Sequence, residues 1–378
     1  MLKRKPKALA TKDFTKPCKT KVKPTPKSYK KNGLISAKNT QKKQQNLRLV
    51  LTWKAKHLKS FQIANNMNTE FPQTLVAAIR HFSDPQVAFD FMVNLRWPDK
   101  VKCPRCQSEN VSFIATRKIW KCKCCTEKSQ FSVRVGTIFE DSALPLDKWL
   151  AAIWMIANDK NGVSSYEVHR AIGVTQKTAW FMLQRIRLAM QTGTFEKLAG
   201  EIEADETYIG GKVRNMHVDK QRKRGRGTGG VGKAIVMGLL QRHGKVRLKH
   251  VQNARRGTVQ GEIREHVEPG SKVYTDALPS YNGLNQDYIH EAINHAECYV
   301  RGAVHTNGLE NFWSLLKRGI RGTYVSVEPF HLFRYLDEQA FRFNFREEND
   351  AWRFLKVVGS IFGKRLTYSQ LLNEDRPA

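Results

Sequence analysis

Two pairs of cysteines have the residue type and spacing of a metal site. The pairs are Cys103-Pro-Arg-Cys106 and Cys122-Lys-Cys-Cys125, with fifteen residues between them, which is close to the spacing of a zinc ribbon. Four thiolates close a tetrahedral Zn²⁺ site and leave no coordination position open for catalysis. Cys124 is an alternative fourth ligand, but only Cys125 repeats the two-residue gap of the first pair. The pattern therefore predicts a structural zinc ion held by Cys103, Cys106, Cys122 and Cys125.

Three acidic residues further along the chain have the types needed for metal-dependent phosphodiester chemistry. Asp205 lies within 201–212, an alternating apolar and acidic stretch that ends in glycines and predicts a strand. Asp276 ends a second predicted strand, and Glu310 lies near the start of a predicted helix. Together, three carboxylates would bind two divalent cations about 4 Å apart, which activate the attacking oxygen and stabilise the leaving oxygen. Each acid alone is more simply explained as a solvated residue of a strand or helix, so their joint order is what favours a site.

The segments around the first two acids predict the strands that must position them. Apolar strands are expected over 234–240 and 246–251, and with the strand of Asp205 they would form three antiparallel strands. A strand over 271–276 would present Asp276 at its carboxyl end. A carboxylate on a strand is held rigidly, as a metal ligand requires.

The segment 305–318 predicts a helix that carries the third acid. Its apolar stripe consists of Leu309, Phe312, Trp313 and Leu316. Glu310 lies one turn inside the amino terminus, and Lys317 lies two turns beyond it on the same face. A carboxylate at that position would be able to swing toward the strand acids.

Residues 145–191 predict three helices. Ser164-Ser-Tyr-Glu167 matches a capping box that opens the second helix, and Gly173 makes the turn into the third. This outline is typical of a helix-turn-helix, whose last helix would meet the major groove of DNA. The residues expected to contact DNA are Gln176, Lys177, Thr178, Trp180 and Arg185. Three-helix packing without DNA contact is the alternative interpretation.

The composition favours a polyanionic partner. The 378 residues include 65 Lys and Arg against 34 Asp and Glu, so the net charge is +31 and the pI is near 10.0, as in proteins that bind phosphate backbones. No stretch approaches the roughly 18 apolar residues of a membrane span, and no apolar core follows the basic start, so neither a span nor a secretory signal is expected. The clustered cysteines fit a metal site in a reducing cytosol better than a disulfide framework.

Two segments concentrate the positive charge. Residues 1–66 are rich in Lys and poor in periodic apolar residues, which predicts a disordered basic arm that binds nucleic acid by counterion release. An upstream extension without a specific role is the other interpretation. The stretch 213–233 mixes glycines with basic residues and predicts a mobile loop, in which Arg222, Lys223 and Arg224 are expected to contact DNA.

Several motifs, taken in order, resemble one protein family. Besides the cysteine pairs they are Asn68-Thr-Glu-Phe71, Leu95-Arg-Trp-Pro98, Phe131-Ser-Val-Arg-Val-Gly-Thr-Ile-Phe139, Asp205-Glu-Thr-Tyr-Ile-Gly-Gly-Lys212, Tyr274-Thr-Asp276, and His305-Thr-Asn-Gly-Leu-Glu310 with Lys317-Arg318. Across 68–345 the chain is similar to the zinc-ribbon-bearing DDE transposases of bacterial insertion sequences, the ISXO2-like group related to the eukaryotic Merlin transposons.

This resemblance implies an RNase H-like catalytic domain in which Asp205 and Asp276 are the first two catalytic acids. Glu310 is the expected third acid, because six residues and a lysine follow it, as in the wider DDE pattern. Asn307 is the alternative third residue, and Asn311 lies in the same segment, because members of the group vary between Glu and Asn at this position.

The same resemblance implies a reaction and its partners. Mg²⁺ or Mn²⁺ bound by the three acids would support nicking of the transposon end and attack of the freed 3′-hydroxyl on target DNA. His305 and Lys317 are expected to contact phosphate or to orient water. The partners are double-stranded DNA and at least one further copy of the chain, because two ends must be joined. A bacterial protein in the cytoplasm, associated with the nucleoid, is expected.

The predicted fold class is a multi-domain α+β protein. A zinc ribbon and a helix-turn-helix would precede an RNase H-like α/β catalytic domain with a mixed sheet. The expected divisions are a basic arm at 1–66, a small helical segment at 67–100, the ribbon at 101–140, the helix-turn-helix-like domain at 144–192, the catalytic domain at 199–346 with a basic insertion at 213–233, and a C-terminal tail at 347–378.

Two other classes of protein share part of this pattern. A zinc-ribbon DNA-binding or transcription-type protein needs the charge, the ribbon and the helix-turn-helix but not the three acids, so acids lying far apart would favour it. An RNase H-like nuclease keeps the acids but lacks strand transfer. The intact Asp205, Asp276 and Glu310 argue against a domesticated, inactive transposase.

Overall fold

Two short helices begin the part of the chain that the structure describes. This computed structural model describes residues 71–191, 197–211, 218–219, 233–293 and 305–373. The predicted arm at 1–66 and the loop residues Arg222, Lys223 and Arg224 therefore lie outside the described residues. Thr74 caps helix α1 (Leu75–Phe82) and Asp84 caps helix α2 (Pro85–Arg96), each through a side-chain oxygen that accepts from a first-turn N–H.

Three short antiparallel strands form the ribbon. They are β1 (Val111–Ile114), β2 (Ile119–Cys122) and β3 (Gln130–Phe131), with β2 in the middle. The ring of Trp120 on β2 stacks on Phe131, 6.0 Å away between centroids, and on Phe89 of α2, 5.8 Å away. The ribbon thus has an apolar face that packs on helix α2.

The three helices predicted over 145–191 are present. They are α3 (Leu146–Asn158), α4 (Ser165–Ile172) and α5 (Gln176–Met190). Ser164 and Glu167 form the expected capping box of α4, and Gly173 ends that helix in the left-handed region with φ +63°, where a glycine has no Cβ penalty. The turn from Gly173 to Thr175, which caps α5, sets the two helices against each other.

A five-stranded mixed sheet forms the second half of the chain. Its strands are β4 (Glu201–Ile209), β5 (Ala234–Gln241), β6 (Val246–Val251), β7 (Lys272–Asp276) and β8 (Ile289–Ile293), in the order β6-β5-β4-β7-β8. As predicted, β4, β5 and β6 are antiparallel, whereas β7 runs parallel to β4 and β8 parallel to β7. The edge strand β8 was not predicted.

Helices cover both faces of this sheet. Helix α6 (Arg256–His266) packs on one face, and helices α7 (Asn307–Arg318) and α8 (Leu332–Asn344) pack on the other. Ile202 and Ala204 belong to the core under α6. Because side chains alternate along a strand, Glu203 and Asp205 face α7 instead.

The predicted C-terminal tail at 347–378 is wrong as far as the structure describes it, through residue 373. Helices α9 (Asp350–Gly359) and α10 (Tyr368–Asn373) form there. Phe354 of α9 is fully buried beside Trp154 of α3, with 5.0 Å between ring centroids. The amphipathic pattern of α9 buries its apolar face, as helices of this length do in globular proteins. No helix within the described ranges is long and apolar enough to cross a membrane.

One hydrophobic core joins the ribbon to the helices around it. Its buried members include Phe91 of α2, Trp120 of β2, Trp149 of α3, Leu183 of α5 and Phe354 of α9. The predicted units at 67–100, 101–140 and 144–192 are therefore not separate bodies. They form one ribbon-helix unit, which α9 completes from the far end of the chain.

Candidate active site and zinc ribbon

Two of the predicted catalytic acids lie on neighbouring parallel strands. Strands β4 and β7 pair with Glu203 opposite Tyr274, so continuing this register by two residues places Asp205 beside Asp276. Both acids point to the same face as Glu203, because side chains alternate along each strand. Neighbouring strands lie about 4.8 Å apart. The sheet therefore brings these two acids into one site.

Helix α7 reaches this site through Trp313. The indole Nε1 donates a hydrogen bond to Oδ2 of Asp205 at 2.9 Å, and the side chain is 5% exposed. Gly238 on β5 pairs with Asp205, and a Cβ at Gly238 would lie only 2.6 Å from Cη2 of Trp313. Gly238 thus leaves the space that the indole occupies, and the indole fixes one oxygen of Asp205.

Glu310 lies one turn before Trp313 on the same helix. Its side chain is exposed in the first turn of α7, and its negative charge adds to the effects of burial and of Asp276, which raise the pKa of Asp205. Asn307, the alternative third residue, is exposed at the first position of α7, one turn further from Trp313. Asp276 and Glu310 therefore both lie close enough to Asp205 for their charges to act on it.

Burial and crowded negative charge raise the pKa of Asp205 to about 6. Loss of solvent is the largest cause, and the charges of Asp276 and Glu310 add to it, while the hydrogen bond from Trp313 opposes it. An excess of negative charge on carboxylate oxygens suits a hard divalent cation such as Mg²⁺ or Mn²⁺. The donor set thus fits the metal that the resemblance implies.

Glu206 is a fourth acid near this site, on the opposite face of β4 from Asp205, and the sequence pattern did not single it out. Burial raises the pKa of Glu206 to about 7, and the charges of Asp205 and Asp276 add to this effect. The Tyr281 hydroxyl approaches the Glu206 carboxylate and opposes this rise in its pKa. The contact does not meet the geometry of a hydrogen bond, so both carboxylate oxygens are buried without a hydrogen-bond partner. The sequence signal that could have identified Glu206 is its position directly after Asp205 on a strand that is buried on both faces.

Positive groups border the acids. Lys317 lies one turn beyond Trp313; burial lowers its pKa, as do the charges of Arg321 and Lys233, while the charge of Asp205 raises it. Three cations beside a carboxylate cluster are suited to a phosphate group. His305, two residues before α7, lies beside Glu203, with its Nδ1 3.4 Å from Oε1 of that residue.

The four predicted zinc ligands meet at one point of the ribbon. The Sγ atoms of Cys103 and Cys125 lie 3.8 Å apart, and those of Cys106 and Cys122 lie 3.5 Å apart. All four Sγ atoms lie within 4.8 Å of one another. With zinc–sulfur bonds of about 2.3 Å, a tetrahedral site separates its sulfurs by about 3.8 Å, so the cluster fits Zn²⁺. Cys124 is exposed and lies outside the cluster.

Four of the five helix residues expected to contact DNA lie in the first half of α5. Lys177 is exposed, and Gln176, Thr178 and Trp180 are partly exposed. The side-chain amide of Gln176 donates to Oγ of Ser165 at 2.8 Å, which attaches the start of α5 to α4. These positions are open to a partner on one side of the helix pair.

The prediction that Arg185 contacts DNA is wrong. Its side chain is 5% exposed, and its guanidinium donates to the carbonyl oxygens of Ile138, Glu140 and Leu366 at 3.1, 2.9 and 3.0 Å. The residue lies beyond the middle of α5, where the helix has turned toward neighbouring segments. Arg185 therefore joins α5 to the end of the ribbon and to the C-terminal segment.

Comparison with known proteins agrees with this arrangement. Residues 197–344 match the family described as ISXO2-like transposase domain, and residues 83–128 match the transposase zinc-ribbon domain. An uncharacterized protein in transposable element ISH50 of Halobacterium salinarum is 29% identical over 256 residues, which are 64% of this chain and 84% of that protein. An uncharacterized transposase-like protein of Haemophilus influenzae is 35% identical over 114 residues, 29% of this chain and 92% of that protein. The chain therefore belongs to the ISXO2-like transposase family, with the zinc-ribbon domain ahead of the transposase domain.

Proposed function

We propose that this transposase cleaves DNA at the ends of its mobile element and joins those ends to target DNA, with divalent cations bound by Asp205, Asp276 and Glu310. The observation that supports the proposal most strongly is the placement of Asp205 and Asp276 on neighbouring parallel strands with Glu310 on the helix beside them, where burial first, and then the charges of Asp276 and Glu310, raise the pKa of Asp205. A divalent cation, Mg²⁺ above all, would supply activation of the attacking oxygen and stabilisation of the leaving oxygen.

The chain's own residues have distinct roles in this proposal. Trp313 donates to Oδ2 of Asp205 and the backbone N–H of Glu206 donates to Oδ1 at 2.8 Å, so both oxygens are held in place and each keeps a further lone pair for a ligand. Lys317, with Arg321 and Lys233 near it, binds the phosphate of the scissile strand. Glu310 completes the oxygen donors from the helix side.

The sheet supports an RNase H-like assignment for the catalytic domain. Three antiparallel strands followed by two parallel strands, with helices on both faces, form the order β6-β5-β4-β7-β8. In this assignment the first acid lies on the central strand β4 and the second at the end of its parallel neighbour. Ligand sites at the carboxyl ends of parallel strands are common in α/β sheets.

Recognition of the DNA ends belongs, in this proposal, to the ribbon-helix unit. Helices α4 and α5 act as a helix-turn-helix, and Lys177 at the exposed start of α5 contacts double-stranded DNA. The ribbon, closed by Zn²⁺, supplies basic side chains to the phosphate backbone, and so does the segment that contains Arg222, Lys223 and Arg224. Two copies of the chain act together, because two ends must be joined.

The test is a strand-transfer assay with Mg²⁺ and DNA that carries the element's own ends. We compare the intact chain with Asp276→Asn and with Glu268→Gln, a matched control that removes an exposed acid just after α6. We expect joined products from the intact chain and from Glu268→Gln, and none from Asp276→Asn. Binding without cleavage by the intact chain would overturn the proposal in favour of a DNA-binding protein.

An RNase H-like nuclease is the second candidate, because it would use the same carboxylates. The assay separates the two functions on one gel. Cleaved ends without joined products, at saturating target DNA, would favour the nuclease.

A further inference from the structure

Helix α7, which carries Glu310, begins without a cap from its own neighbouring residues. The side chain of its N-cap residue Thr306 makes no capping hydrogen bond. Instead, Oε2 of Glu203 on β4 accepts from the backbone N–H of Leu309 at 3.0 Å, across 106 positions of sequence. Glu203 is 1% exposed. A buried carboxylate thus satisfies a first-turn N–H and meets the positive end of the helix dipole.

Gly308 lets this carboxylate approach the helix. A Cβ at Gly308 would lie 2.7 Å from Oε2 of Glu203 and 2.7 Å from Cδ2 of Leu240. Both distances are shorter than van der Waals contact. The first turn of α7 therefore lies directly against the strand because residue 308 has no side chain.

The second oxygen of Glu203 is also engaged. Arg242 donates through Nε to Oε1 of Glu203 at 3.1 Å and through Nη2 to the carbonyl oxygen of His305 at 2.9 Å. The guanidinium of Arg242 also lies 4.1 Å from the ring centroid of Tyr274. Glu203 and Arg242 together hold the chain that enters α7.

Helix α7 is thus attached to β4 at two points on one face of the strand. Glu203 accepts from Leu309, and Asp205, two residues later, accepts from Trp313. Glu310 directly follows the first attachment and lies one turn before the second. Its distance from the strand acids is set by these two hydrogen bonds.

We propose that Glu203 is a positioning residue for metal binding: by capping α7 it holds Glu310 at the distance from Asp205 and Asp276 that a shared divalent cation requires. Glu203 does not bind the cation; it acts through Glu310. This inference rests on the proposed function of the three acids. Residues that orient metal ligands in this way typically change metal affinity by about 10- to 100-fold when they are replaced.

The substitution Glu203→Gln tests this role with little change in shape. An amide has one acceptor oxygen, so it cannot serve the Leu309 N–H and Arg242 together. Glu201→Gln is the matched control, because Glu201 lies on the same strand and contacts the same Arg242 at 3.4 Å but is not the residue that caps α7. Unfolding curves and circular dichroism establish that each variant is folded.

The readout is Mn²⁺ affinity, measured by the electron paramagnetic resonance of free Mn²⁺ in a titration without DNA. We expect Glu203→Gln to raise the Kd for Mn²⁺ about tenfold and Glu201→Gln to leave it unchanged. In a Glu310→Gln background, Glu203→Gln should have no further effect, because the residue through which it acts is gone. An equal loss in both backgrounds would mean a general structural role and overturn the proposal.

Gly308→Ala provides a second variant that keeps every charged group. Its added Cβ displaces the Glu203 carboxylate from the first turn, so the Kd for Mn²⁺ should rise in the intact background and not in Glu310→Gln. An unchanged Kd in folded Gly308→Ala would contradict the proposal. The strand-transfer assay on the intact chain is scored separately. If the chain forms joined products but the effects of Glu203→Gln and Glu310→Gln on Mn²⁺ affinity are additive, only the positioning role of Glu203 is rejected. If the two effects are coupled but the chain does not cleave DNA, only the proposed reaction is rejected.

Discussion

Arg187 and Glu338 form a buried ion pair that joins helix α5 to helix α8. Nε of Arg187 lies 2.6 Å from Oε2 of Glu338, and the two side chains are 1% and 0% exposed. Arg342 and the Tyr324 hydroxyl also donate to this carboxylate. Burial disfavours its charge, but Arg342 and Arg187 outweigh burial and keep the pKa of Glu338 below its usual value. The ion pair therefore attaches the ribbon-helix unit to helix α8, which covers one face of the five-stranded sheet.

Removing one partner of this pair should be costly. We expect Arg187→Met to lower the free energy of unfolding by about 3–5 kcal/mol, because Glu338 then keeps a buried charge with too few partners. Arg365→Ala is the control: Arg365 pairs with Asp141 at the surface, 2.6 Å away, and exposed pairs contribute about 0–1 kcal/mol. Urea unfolding measures both, and equal losses would contradict the assigned role.

Gly238→Ala should disturb the candidate active site through Trp313. The new Cβ would lie 2.6 Å from the indole, so the ring must move and its hydrogen bond to Asp205 breaks. Overpacking of this kind costs about 1–3 kcal/mol, and the tryptophan fluorescence should shift to longer wavelength. Gly261→Ala is the matched control, since a Cβ there meets nothing within 4 Å and should stabilise α6 by up to about 1 kcal/mol. Identical spectra for both variants would refute the prediction.

Two cysteine variants, one inside the cluster of four and one outside it, test the zinc site. We expect Cys103→Ser to lose bound zinc and to expose Trp120, which packs 6.0 Å from Phe131 in the ribbon, because a structural zinc site supplies folding energy to its domain. Cys124→Ser should keep zinc and structure, since Cys124 lies outside the cluster. Zinc content by atomic absorption and fluorescence of the ribbon provide the measurements. Zinc loss from Cys124→Ser would show that the ligand set is different.

Variants of Lys177 and Arg185 should have different effects, the first on DNA binding and the second on stability. Lys177→Ala is expected to weaken DNA binding and to reduce the salt slope by about 1, as loss of one phosphate contact does, without changing the unfolding midpoint. Arg185→Ala should lower stability instead, because three carbonyl oxygens lose their donor. Fluorescence anisotropy at several salt concentrations and thermal unfolding distinguish these effects. A salt slope unchanged in Lys177→Ala would remove α5 from the DNA interface.

Asp337 should make the protein less stable as pH rises. Burial raises the pKa of this residue to about 6, although a hydrogen bond from Gln191 and the charges of Arg334 and Lys364 oppose the rise. The folded state then binds the proton more tightly than the unfolded state. The resulting contribution to the free energy of unfolding is fully present below about pH 4 and is lost as pH rises to about 6.

The variant Asp337→Asn should lack this pH-dependent loss. Relative to the intact chain, its free energy of unfolding should gain about 2 kcal/mol between pH 4 and pH 7. Glu347→Gln, which removes a carboxylate that is 86% exposed, should show no such gain. A flat difference for Asp337→Asn in urea unfolding at both pH values would contradict the assignment.

Local patterns were enough to predict the elements that carry the candidate site. The alternation around Asp205, the strand ending at Asp276 and the apolar stripe beside Glu310 are all properties of short segments, and the structure has strands and a helix there. The cysteine pairs likewise carry their own spacing. These features depend on neighbours in sequence.

Features that depend on distant partners were missed. Glu203 looked like any acid of an alternating strand, because the N–H that it caps lies 106 positions away. Arg185 has the charge expected of a recognition helix, but it turns inward to distant carbonyl oxygens. Strand β8 escaped prediction because only Ile293 of its five residues is buried, so it lacks the apolar alternation that marks a strand.

The shared core has a consequence for the order in which the protein matures on the ribosome. Phe354 of α9 completes the core around Trp154, and it is synthesised after Asp205, Asp276 and Glu310. The ribbon-helix unit therefore reaches its final packing only after these three acids have been synthesised in the same chain. A chain released before residue 350 would carry the cysteines without a closed core.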